Sequence, residues 1–190
     1  MIRSWRSAFS VLWSVCGPAL LSLAWTRQAL ESRATLQVLV LLPLLILSGF
    51  ACRALTNEVF HKRLVDMHLT SHDADGLVTA CAALAAISFW LIPSALDASL
   101  GSVRMGVAKY ASFWIVGFLV HACAFRAVAV LQLFLVASVA IAVFAVGIIY
   151  LTSPDRLFSG YRIEDQTAAG TGLITGSLIA IAWVLFRTFK

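Results

Sequence analysis

Apolar positions along the chain gather into long runs separated by short polar segments. A membrane-spanning helix needs about 20 predominantly apolar residues. Six stretches approach or reach that length: 8–25, 35–51, 77–96, 110–125, 128–151 and 168–186. The first follows Met1-Ile2-Arg3-Ser4-Trp5-Arg6, carries Gly17-Pro18 at a predicted kink, and ends in Trp25 with no A-x-A site. It therefore reads as a retained span and not as a cleavable signal peptide. Arg27 to Arg33 makes a short polar connection. The longest polar segment runs from Arg53 to Asp75, with Leu55, Val59, Leu64 and Met67 at near-helical spacing, which predicts a surface helix leading into the third span. Asp97 to Ala108 and Thr152 to Thr167 read as loops. Tyr110 to Leu151 is too long for one crossing, and Arg126 divides it into two. The expectation is a single all-α, polytopic membrane domain over residues 1–190 with about six transmembrane helices.

Composition agrees with that pattern. The 190 residues are 61% hydrophobic and 12% charged, with a mean hydropathy of +0.93. A soluble domain is about 45–50% apolar and about 25% charged. A soluble enzyme, a nucleic-acid-binding module and a disordered chain are all excluded by this balance. The net charge of +5 changes the picture little, because Lys and Arg sit mostly at the ends of apolar stretches, where headgroups meet them. With a cytoplasmic N-terminus, that side holds Arg3, Arg6, Arg53, Lys62, Arg63, Arg126, Arg187 and Lys190, against Arg27, Arg33, Arg104, Lys109, Arg156 and Arg162 opposite. The bias is small and favours cytoplasmic termini. The four cysteines stand singly, without CxxC spacing, as buried Cys in an apolar chain does.

The polar residues within this apolar chain are the candidates for chemistry. His68 and His72 are spaced i,i+4 and share one face of a helix. That spacing either bridges a metal, imidazole being suited to copper, zinc and iron, or stands as an interfacial pair with no ligand. His121 lies about one turn before Arg126 in the fourth span, at the same membrane face as the start of the third. A site combining His68, His72 and His121 is geometrically permitted, either for a metal or, with two of them, for a b-type haem. The alternative for His121 is a hydrogen bond to a neighbouring helix. Ala168, Gly172 and Gly176 form a small-residue stripe that permits close helix packing. Glu164-Asp165-Gln166 precedes the last span, where acidic residues suit a helix N-terminus, or where they bind a partner. The segment holding Lys62, Arg63, Asp66, His68, Asp73 and Asp75 has mixed signs that suit either headgroups or a complementary protein patch.

Several of these segments, in this order, resemble the CtaG-type membrane proteins associated with assembly of cytochrome c oxidase. The resemblance rests on His68-Leu69-Thr70-Ser71-His72, on Ile92-Pro93-Ser94-Ala95-Leu96-Asp97-Ala98-Ser99-Leu100, on Ser112-Phe113, and on Pro154 with Glu164-Asp165-Gln166-Thr167-Ala168-Ala169-Gly170. It covers roughly residues 35 to 190. It departs where the family has Glu-His before Ser-Phe and Trp-His before the Leu-Pro-like element; here stand Lys109-Tyr110-Ala111 and Trp90-Leu91. The resemblance implies a non-enzymatic protein of a bacterial inner membrane. Its partners would be lipids and the subunits of a haem–copper oxidase or related respiratory complex, not nucleic acid. The implied roles are copper handling during assembly and service as an accessory, stabilising subunit. Two other classes stand beside it: a haem b electron-transfer subunit built on His72 and His121, and a small transporter. The transporter class lacks a deep intramembrane carboxylate or a broken helix pair.

Overall fold

The computed structural model describes residues 24–59, 76–124 and 128–188, and every regular element among them is helical. Helix α1 (Ala24–Glu31) is followed by a rod made of α2 (Ala34–Leu36), a π-helical turn (Gln37–Leu41) and α3 (Leu42–Val59). Then come α4 (Leu77–Trp90), α5 (Pro93–Gly101), α6 (Val103–Ala124), α7 (Ala129–Thr152) and α8 (Ile163–Thr188). Four helical stretches are long and apolar enough to cross a membrane: Ala34–Ala54, Val103–His121, Ala129–Thr152 and Ile163–Phe186. The α4–α5 pair, bent by 73°, raises the number to five if it counts as one span. Four or five spans are thus present among the described residues, and the expected first span over 8–25 lies almost wholly outside them.

Boundaries differ from expectation around residues 91–109, and α3 runs on to Val59 past the expected 51 while α8 starts at Ile163 ahead of the expected 168. The region read as a loop is helical, forming α5 and the first turns of α6. Pro93 explains the break between α4 and α5. It cannot donate to the ladder of the preceding helix, yet it suits the first position of a new one, which is where it stands. The end of α4 is closed from outside, since the Tyr150 hydroxyl donates to the Leu91 carbonyl at 2.9 Å. At its start, Gly76 takes φ 75°, a left-handed conformation that glycine adopts without steric cost.

Glycines set the two closest helix crossings. A Cβ on Gly49 of α3 would stand inside the Trp114 carbonyl of α6, and one on Gly117 inside the Ile46 carbonyl. The contact is reciprocal, so only hydrogen at both positions lets these backbones meet. The α7–α8 crossing repeats the arrangement: a Cβ on Gly147 would lie 3.0 Å from the Gly170 oxygen, and one on Gly170 2.9 Å from the Gly147 oxygen. Buried apolar side chains concentrate at one end of the bundle. Leu41, Leu42, Leu45, Trp90, Ala95 and Phe113 pack there between α3, α4, α5 and α6. Beside them Val38, Leu91, Leu96, Tyr150, Phe158 and Tyr161 form a second cluster that includes the connection between α7 and α8. This is the Tyr161 end; His121 marks the other.

Candidate functional site

Polar side chains converge at the Tyr161 end. Helix α1 ends in Glu31, whose carboxylate accepts from Lys109 Nζ at 2.6 Å and from Arg27 Nε at 2.7 Å. Lys109 lies two turns into α6 and is 0% exposed. The Tyr110 hydroxyl stands 3.5 Å from the same carboxylate oxygen that receives Lys109. The geometry follows from local sequence: Arg27 and Glu31 are i,i+4 neighbours on α1, and Gly106, one turn before Lys109, leaves room for the Arg27 guanidinium beside it. Burying the Lys109 ammonium is tolerable only with this directness of pairing to the carboxylate, while the half-exposed Arg27 keeps part of its hydration.

Tyr161 carries the site across to the other half of the chain. Its hydroxyl lies 2.9 Å from the Glu31 carbonyl and also against Oε1 of Gln37, a fully buried side chain in the π-helical turn. Burial, helped by the charges of Glu31, Asp97 and Asp165, pushes the Tyr161 phenol well above its ordinary range. The connection that holds Tyr161 is itself tied at several points. Asp97 of α5 accepts from the Ser159 backbone N–H at 2.6 Å and from its hydroxyl at 2.8 Å. Gln166 accepts from the Leu157 N–H at 2.9 Å and donates to the Tyr150 carbonyl at 3.0 Å. Thr35 donates to the Asp165 carbonyl at 3.2 Å. Phe158 inserts between Tyr150 and Tyr161, edge-on to both rings.

The residues singled out by sequence are distributed as follows. His68, His72, Lys62, Arg63, Asp66, Asp73 and Asp75 lie outside the described residues. His121 is buried at the opposite end from Glu31, its ring edge-on to Phe50 at 4.5 Å. Beside it the buried Arg53 guanidinium stands over the Phe118 ring at 5.0 Å. No group of three His, Cys, Asp or Glu side chains placed to share a metal occurs among the described residues. Of the acidic trio, Glu164 points outward and pairs with Arg162 at 3.1 Å, Asp165 is half-buried, and Gln166 is buried with both ends of its amide bonded within the chain. Gly172 meets Leu39 of the π-helical turn so closely that a Cβ would overlap it, whereas no atom lies within 4 Å of a Cβ placed on Gly176.

Sequence reading missed Glu31, Lys109, Gln37 and Tyr161. The available signal was Lys109, an ionisable residue at the edge of an apolar run, since such residues are costly at membrane depth and carry partners. Its partner is 78 positions away in the chain, beyond any local pattern. No protein-family model, no curated protein and no solved structure matches this chain.

Proposed function

We propose that the protein is a non-enzymatic membrane scaffold of a bacterial inner membrane, serving a haem–copper oxidase or related respiratory complex as an accessory, stabilising subunit. The observation that carries this reading is the architectural use of Asp97 and Gln166. Both belong to segments that resemble the CtaG-type family, and both tie down the connection between α7 and α8. One Asp97 oxygen and both ends of the Gln166 amide are engaged in bonds within the chain.

The reading favours stabilisation over copper delivery at this end. Where the family has a Glu-His pair, Lys109 presents a buried ammonium bonded to Glu31. A fixed positive charge in a low-dielectric setting repels a metal cation, so these residues do not fit copper.

Mild-detergent purification from native membranes, with cross-linking from Lys62 and mass spectrometry, tests the proposal. The expected result is recovery with oxidase or other respiratory subunits. Copper content is expected to be equal in the wild type and in a His68→Ala/His72→Ala double variant. Recovery solely as a monomer, with no cross-link to any respiratory subunit, would overturn it.

A further inference from the structure

We draw no further inference here: the strongest candidate, the apolar cleft between α4, α6, α7 and α8 in the His121 half of the bundle, carries nothing because nothing in the structure shows what covers it.

Discussion

Lys109 Nζ and Glu31 Oε1 lie 2.6 Å apart, and this contact fastens helix α1 to the first turns of α6. The pair is embedded among Arg27, Tyr110 and Tyr161, so its value lies in the consequences of losing one member. Breaking a buried pair costs about 3–5 kcal/mol, because the remaining charge is stranded. Glu31→Ala is therefore expected to lower thermal stability in detergent sharply. Lys109→Met in the same background is expected to recover much of the loss. A double variant no more stable than Glu31→Ala would show that the ammonium does not depend on the carboxylate.

The glycine crossings give a second expectation. Gly117→Ala drives a methyl group into the Ile46 carbonyl, and backbone yields less readily than a side chain. A loss at the upper end of the ~1–3 kcal/mol typical of overpacking is expected. Gly176→Ala, with open space at its Cβ, is expected to be neutral or slightly stabilising, since Ala favours helix over Gly by about 1 kcal/mol. Thermal unfolding of the two variants side by side tests the contrast, and equal stability would remove the basis for the α3–α6 crossing.

Gln166 holds the α7–α8 connection through one donor and one acceptor bond. Gln166→Leu leaves the Leu157 N–H and the Tyr150 carbonyl unmet, at about 1–3 kcal/mol for each buried group. Gln166→Glu keeps the acceptor and loses the donor, so an intermediate effect is expected. Limited proteolysis between residues 153 and 162 should rank the chains as Leu, Glu, wild type in order of falling cleavage. Indistinguishable cleavage would show that other ties suffice.

Alkaline pH should act through Tyr161. Its phenol is held above the ordinary value of about 10 by burial and neighbouring carboxylates, so the folded state favours the protonated form. The associated stability is fully present below pH about 10 and falls as pH rises through the raised value. Titration by absorbance near 295 nm is expected to show no Tyr161 ionisation at pH 10, taken as the difference between the wild type and Tyr161→Phe. A normal phenolate component in that difference would contradict the burial.

The apolar runs made the helical architecture legible. The expected 128–151 and the observed Ala129–Thr152 differ by one residue at each end, because a long uninterrupted run has few competing readings. The region from 91 to 109 failed for a physical reason. Small and polar residues such as Asp97, Ser99 and Ser102 resemble a loop locally, yet Pro93 restarts a helix whose buried side, Ala95, Leu96 and Ser99, packs on the bundle. Tertiary burial overrode local preference. Lys109 was likewise assigned to a membrane face, when its depth in α6 is set by a carboxylate that only the folded chain brings to it. The Gly49–Gly117 crossing was also beyond local reading, because single glycines in separate apolar runs give no sign that they will meet.

The bonds from Tyr161 to Glu31 and from Thr35 to Asp165 each join positions 130 residues apart. Contacts of such separation must await the closure of a long loop before they repay its entropy, and topologies that rely on them assemble slowly. For this chain the delay has a spatial meaning. The Gly49–Gly117 and Gly147–Gly170 crossings can form within their own stretches of sequence, but the ties from Glu31 and Thr35 to the α7–α8 connection and the start of α8 wait until Tyr161 and Asp165 have been made. During synthesis, Glu31 and Lys109 can find one another long before Tyr161 is made, so the ion pair is available as an early clasp and the tyrosine as the late bolt over it.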